Sequence, residues 1–246
     1  NTYRPYLEGK DIDTYSLLYK NRWLKYGINL AAPRTKDLFE GERLLVRRIV
    51  GKRLIATYVS RDFVTSQLLQ IVKPKNKVNS KEILTILNSS LIAFYFRKKY
   101  NRIDKTFPEI RVYELRSLPV MQKTKYELIL ESKADQMLAF NKDLQEISSK
   151  FQRSLQREFP DELEKLPKKL QDWYELSNAN FVKELKKKKI KLSLSQKAEW
   201  EDYFLAEQQK TLELKTQIEQ TDKEIDQMVY ELYGLTEEEI RIVDKS

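Results

Sequence analysis

From Leu130 to Leu232 most apolar residues fall three and four apart, and this spacing restricts the C-terminal half of the chain to helices. One series, Leu130, Met137, Phe140, Leu144, Ile147 and Phe151, ends near Pro160. A second carries Phe204, Thr211, Ile218, Ile225 and Leu232 at intervals of seven, interleaved with Leu214, Thr221 and Met228. At 1.5 Å per residue the two would span roughly 32 and 42 Å, lengths that suit an antiparallel pair. Threonines in the seam weaken a free coiled coil and favour an arm formed within one chain. Between the two series, Pro160 to Gln196 reads as a smaller helical element broken at Pro167, with Trp173, Tyr174, Phe181 and Leu185 as its core.

The half before Pro119 is patterned differently. Ser16 to Lys20, Arg43 to Val50, Arg53 to Val59 and Phe63 to Val72 are strand-length runs of aliphatic, aromatic and β-branched residues. Gly51 separates the second from the third by a hairpin-sized gap, so these two are expected to pair antiparallel. Alternation puts Leu44 and Val46 on one face and Leu45, Arg47 and Ile49 on the other, as in a sheet with a covered face. The expected cover follows: Asn79 and Glu82 in capping-box register, then Ile83, Ile86, Leu87, Leu91, Phe94 and Tyr95 at helical spacing. Five glycines and seven prolines in 246 residues also favour helix over an all-β design. The expected fold class is α+β: a mixed sheet with a packed helix over residues 1–123, then a mostly helical half over 124–246 with an insertion at about 160–196.

Charge separates the same halves. Residues 1–123 hold 25 Lys and Arg against 11 Asp and Glu, a balance of +14, while the remainder has 21 against 26, or −5. A field of that sign and size attracts a phosphate backbone, whose condensed counterions are released on binding, so nucleic acid is the expected partner. A merely solubilising basic surface is the alternative.

Several chemistries are excluded. With no cysteine and no histidine, the chain has no Cys/His zinc site, no cysteine nucleophile and no histidine base. No two prolines are adjacent, which removes the proline-containing turn that holds a target adenine. The nearest glycines are Gly41 and Gly51, too far apart for a cofactor cradle. Pro160-Asp161 followed by Glu184-Leu185-Lys186 fits a magnesium-nuclease pattern literally. Such sites need carboxylates on adjacent strands, and Glu184 lies in a lysine-rich helical run. No apolar run approaches the roughly 20 residues of a membrane span, and no signal peptide is visible, so a cytoplasmic location is expected. The chain begins with Asn1 and is read as a piece of something longer.

The stretches YRPYLEGKDIDTY (Tyr3 to Tyr15), LLVRRIVGKRLIATY (Leu44 to Tyr58), LTILNSSLIAFYFRKKY (Leu84 to Tyr100) and ELRSLPV (Glu114 to Val120) together resemble the TaqI-like C-terminal specificity domain. The tail EIDQMVYELYGLTEEEIRIV (Glu224 to Val243) and EWEDYF (Glu199 to Phe204) resemble the end of Type IIG enzymes, which fuse restriction and adenine methylation. The resemblance implies a double-stranded DNA target recognition domain without catalytic residues of its own. Methyltransferase and nuclease domains of the same polypeptide would lie upstream, and S-adenosylmethionine and magnesium would bind there. A helical interaction or scaffold module with a non-specific basic surface is the competing reading.

Arginine paired bidentately to guanine is the commonest specific contact to DNA, whereas lysine mostly fixes position on phosphate. The candidate DNA-binding residues are therefore Arg47, Arg48, Lys52 and Arg53 on the hairpin, Arg34 and Lys36 in the preceding loop, and Arg61. A second group is Lys98, Lys99, Asn101 and Arg102 around the end of the covering helix. Each cation near the hairpin has an alternative use as solvated charge or as partner of Asp37, Glu40 or Asp62. The helical run Glu184 to Lys191 is read as a solvated face, with phosphate or partner contact as its alternative.

Overall fold

A computed structural model describes residues 2–75, 78–100 and 108–245. The fold is α+β, and it divides into two compact units: residues 1–138 with 221–246, and residues 139–220. The cut at 123/124 follows composition. The compact units follow contacts, and they show the chain returning to its first unit at the end.

The first unit opens with β1 (Thr2–Leu7), β2 (Ile12–Asp13), β3 (Ser16–Leu17), β4 (Trp23–Tyr26), β5 (Arg43–Arg47), β6 (Ala56–Val59), β7 (Val64–Thr65) and β8 (Leu69–Val72). They form three small sheets, ordered β4-β1-β7, β2-β3 and β6-β5-β8. The expected hairpin is present, with β5 and β6 antiparallel and Leu45 opposite Thr57. Leu44, Leu45 and Val46 are all fully buried, so the central strand is covered on both faces.

All four strand-length runs are shorter than expected, Ser16–Lys20 keeping only Ser16–Leu17 and Arg53–Val59 only Ala56–Val59, and for the other two the reason is identifiable. β5 stops at Arg47 because the backbone beyond it takes other partners: the Arg48 amide donates to the Leu68 carbonyl, and the Ile110 amide donates to the Arg48 carbonyl. The run from Phe63 to Val72 splits at Ser66 to Leu68. Its first part pairs parallel with β1, and its second pairs antiparallel with β5.

The covering helix is also two helices, α1 (Ser80–Asn88) and α2 (Ser90–Tyr100). Ser89 between them is extended, and its hydroxyl donates to the Ile86 carbonyl at 2.7 Å, closing α1. The buried Asn88 side chain pins that end to the sheet: its amide donates to the Ala56 carbonyl at 3.1 Å and its oxygen accepts the Ala56 amide at 3.0 Å. Asn79 caps α1 as expected, accepting from the Lys81 and Glu82 amides. Glu82 does not complete a capping box. Its buried carboxylate instead takes the Lys123 and Thr124 amides at 2.9 and 2.8 Å, securing the approach to the next long helix.

After α3 (Val112–Arg116) come the helices α4 (Glu127–Glu158), α5 (Lys168–Gln171), α6 (Asn178–Lys187), α7 (Leu194–Leu232) and α8 (Glu237–Asp244). Within the first unit, α4 and α7 run antiparallel: Lys125, just before α4, pairs with Glu231, and Lys133 on α4 pairs with Glu224. The second unit repeats that direction on its own residues, with Phe151 of α4 against Tyr203 and Phe204 of α7. Its core is aromatic. Phe151 stacks on Trp173 with centroids 3.7 Å apart, and Phe181 stacks on Phe204 at 4.8 Å. Leu163, Leu170 and Leu185 are fully buried around them, while Tyr174 is only partly so. No described helix is long and apolar enough to cross a membrane.

Candidate nucleic-acid interface

The cations of the first unit divide into those that serve the fold and those that face outward. Arg43 belongs to the first kind. Fully buried at the start of β5, it donates to the carbonyls of Gly41, Arg61 and Phe63, and burial lowers its pKa. Arg22 is engaged by Glu8 and by the buried Asp11.

Arg53 is the expected DNA contact most clearly committed elsewhere. Its guanidinium holds Asp222 and Asp226 of α7, each at 2.8 Å, and touches the Asn88 carbonyl at 3.4 Å. Burial pulls its pKa down, but the charges of Asp226 and Asp222 outweigh that and leave it above its ordinary value. Asp226 continues the network into α2, accepting the Ser90 amide at 2.8 Å and the Ser90 hydroxyl at 2.7 Å.

The other candidates are distributed as follows. Arg47 lies beside Glu8, Gly9, Lys10 and Leu68 in a small hollow of about 150 Å³. Lys36 is exposed on a 3-10 turn, Lys36–Phe39. Arg61 is exposed and lies over the rings of Tyr19 and Phe63 at 6.0 and 5.6 Å. Lys52 is exposed, and its carbonyl accepts from Arg97, which ties the hairpin turn to the last turn of α2. Lys98 lies over Phe94. Lys99 donates to the Tyr95 hydroxyl at 2.7 Å, a bond that holds its ammonium above its ordinary pKa. Asn101 and Arg102 lie outside the described residues.

Arg34 and Arg48 open onto a groove of about 1160 Å³. Its floor is apolar, built from β8 with Ile83 and Leu87 of α1 and Leu115 of α3. Four further cations line it: Lys73, Lys75, Arg111 and Arg116. Arg48 donates from Nη2 at 3.0 Å and Nε at 3.1 Å to one oxygen, Oε2, of Glu109, and Lys73 donates to the Asp37 carbonyl at 2.6 Å. Among the described residues no ion pair is formed by the side chains of Arg34, Lys75, Arg111 and Arg116, although the Arg111 amide donates to the Glu114 carboxylate at 2.7 Å. Two glutamines share the lining. Gln67 is exposed on the β7–β8 turn; Gln70 donates its amide to the Ile110 carbonyl, which leaves its Oε1 without a protein partner.

Sequence reasoning missed Lys73, Lys75, Arg111, Arg116 and both glutamines. The cations had a local signal, since Lys73 and Lys75 bracket Pro74 directly after a strand, and Arg111 and Arg116 bracket α3. Only the tertiary fold brings these segments to one groove.

Residues 4–120 match the family described as the TaqI-like C-terminal specificity domain. The match spans 117 of the 246 residues, all in the N-terminal half. Every groove-lining cation lies within the TaqI-like match, which is a specificity domain of restriction-modification enzymes and not a catalytic one. Residues 123–229 match a second family, described as a domain of unknown function (DUF8810). A comparison with curated proteins finds no match.

The nuclease-like pattern falls outside the TaqI-like domain. Asp161 is exposed in a turn, and Glu184 sits on α6 paired with Lys187 at 2.7 Å and Lys169 at 3.7 Å. Neither is on a strand, and among the described residues no group of three acidic side chains is placed to hold a metal ion.

Proposed function

We propose that the chain is the sequence-specific double-stranded DNA recognition part of a Type IIG restriction-modification enzyme, and that the groove between β8 and α3 is its reading surface. The observation that carries this is the groove itself. Arg34, Arg48, Lys73, Lys75, Arg111 and Arg116 come from separate segments and converge on it within a specificity domain. Lysines and the outer arginines neutralise phosphates and set register. Arg48, already oriented by Glu109, is a pre-formed fork for guanine, and Gln67 is the type of side chain that pairs bidentately with adenine.

In this reading the catalytic chemistry lies upstream in the same cytoplasmic polypeptide. An adenine methyltransferase would use S-adenosylmethionine and a nuclease would use magnesium. The present chain would bring the target adenine into register for both. Arg53 takes no part in reading, because its donors are spent on Asp222 and Asp226.

Selection of bound duplexes from a randomised pool, at about physiological salt, tests the proposal. A short enriched motif that weakens on replacing Arg48 and Gln67 is the expected result. Binding with no enrichment would reduce the domain to a phosphate-tracking surface, and no binding would leave the interaction-module reading.

A further inference from the structure

The second compact unit carries 16 Lys and Arg against 15 Asp and Glu over residues 139–220, so as a whole it is nearly neutral. Its cations are nevertheless segregated: residues 183–197 hold seven lysines and one acid, Glu184. All seven are exposed, and only Lys187 is paired with Glu184. Among the described residues the other six, Lys183, Lys186, Lys188, Lys189, Lys191 and Lys197, meet no carboxylate.

The helix dipole accounts for cations in the last turn of α6, but not for Lys189, Lys191 and Lys197, which follow that helix. Lys189 is unusual in its backbone as well, with φ at 65°. The Lys189 amide donates to the Lys186 carbonyl, and the Ile190 amide donates to the Leu185 carbonyl. Lysine therefore occupies the left-handed position of a Schellman ending, where glycine relieves the strain. Beside it, Val182, Ile190 and Leu192 form the apolar wall of a cleft of about 460 Å³, rimmed by Lys186, Lys189, Lys191 and Lys197.

We propose that this lysine-rimmed face of the second unit is a separate, sequence-independent binding site for the sugar-phosphate backbone of duplex DNA. Six lysines over fifteen residues suit an occupant with several negative charges at close spacing. A duplex presents about one charge per 1.7 Å of its axis. Ammonium groups neutralise phosphates without reading bases, so the site adds affinity and no sequence information. The aliphatic wall and the lysine stems suit the apolar faces of deoxyribose. The inference rests on the reading of the chain as a DNA-binding module, but on residues distinct from the recognition groove.

The test uses the full chain and a quadruple variant, Lys186→Ala, Lys189→Gly, Lys191→Ala and Lys197→Ala. The single Lys189→Gly variant controls for folding, because its backbone prefers the new residue. Affinity for a duplex lacking any selected motif is measured across a salt series. The quadruple variant is expected to bind at least about tenfold more weakly at physiological salt. Its slope of log affinity against log salt should be shallower by up to about 3.6, at about 0.9 per lost phosphate contact. Motif enrichment from a randomised pool should be unchanged. An unaltered slope overturns the site, as does a slope unaltered while an acidic peptide with an apolar anchor occupies the cleft. Absence of enrichment with the unmodified chain counts against the recognition groove instead, so the two failures are distinguishable.

Discussion

Asp226 caps α2 from another helix: its carboxylate accepts the Ser90 amide at 2.8 Å and the Ser90 hydroxyl at 2.7 Å, although 136 residues separate the two in sequence. The Ser89 hydroxyl, which closes α1, also accepts the Ile92 amide at 3.3 Å, so α2 has one cap from its own sequence and takes a second from α7. The same carboxylate faces Arg53, and the three residues join hairpin, covering helix and C-terminal helix.

Removing the cation from this network leaves two partly buried carboxylates facing each other. Arg53→Ala is expected to destabilise the first unit by roughly 3 kcal/mol. Asp226→Ala, which also exposes the start of α2, should cost about 2 kcal/mol. Urea unfolding of the purified chain measures both. A loss below about 0.5 kcal/mol for Arg53→Ala would mean the network contributes nothing.

Burial raises the Asp222 pKa above the ordinary value of 3.8, and Arg53 only partly opposes this. Folding therefore favours its protonated form. The stabilisation is complete below the unfolded value and is lost as pH rises through the higher folded value. Asp222→Asn removes that dependence, so the variant should lose less stability than the parent as pH rises from about 4. Parallel unfolding curves for the two proteins over that rise would contradict the assignment.

Groove and network arginines should separate cleanly by assay. Arg111→Ala and Arg116→Ala are each expected to reduce the salt slope of DNA binding by about 0.9, with stability within about 0.5 kcal/mol of the parent. Arg53→Ala should do the opposite. Salt titration and unfolding on the same preparations decide it, and equal slopes in all three variants would place the DNA elsewhere.

In the second unit, Phe151 lies against Trp173, Phe181, Trp200, Tyr203 and Phe204. Phe151→Ala opens the centre of that cluster and should cost about 3–5 kcal/mol. Thermal unfolding followed by tryptophan fluorescence reports it, because Trp173 and Trp200 both contact the deleted ring. An unchanged transition would show that the unit collapses around the gap.

How legible these features were in sequence depends on the range of the interactions that create them. α4 and α7 are apparent from spacing because a helix is a local structure; of the series at sevens, Phe204, Thr211 and Ile225 are buried while Ile218 and Leu232 are half-buried, and Thr221 of the interleaved series is buried as well. The hairpin of β5 and β6 followed from alternation and one glycine. The arginines did not sort themselves so easily. Arg47, Arg48, Lys52 and Arg53 are neighbours in sequence, yet Arg48 enters the groove while Arg53 turns to a helix 169 residues away. Formal charge also overstated the outward field, since Arg43 is spent inside the core and Arg22 on two acids. Which cation is free is settled by the carboxylates and carbonyls that reach it, and most of those come from elsewhere in the chain.

The borrowed cap also imposes an order on biosynthesis. Arg53 leaves the ribosome 169 residues ahead of Asp222, a delay of roughly 8–34 s at about 5–20 residues per second. During that interval neither Asp222 nor Asp226 has been made, so α2 would have only its Ser89 cap and Arg53 would lack its counter-charges. A premature stop after residue 220 would therefore yield a protein that retains its groove but lacks the residues that hold the covering helix in place. A missing tail is the more serious lesion for the recognition unit than a missing middle.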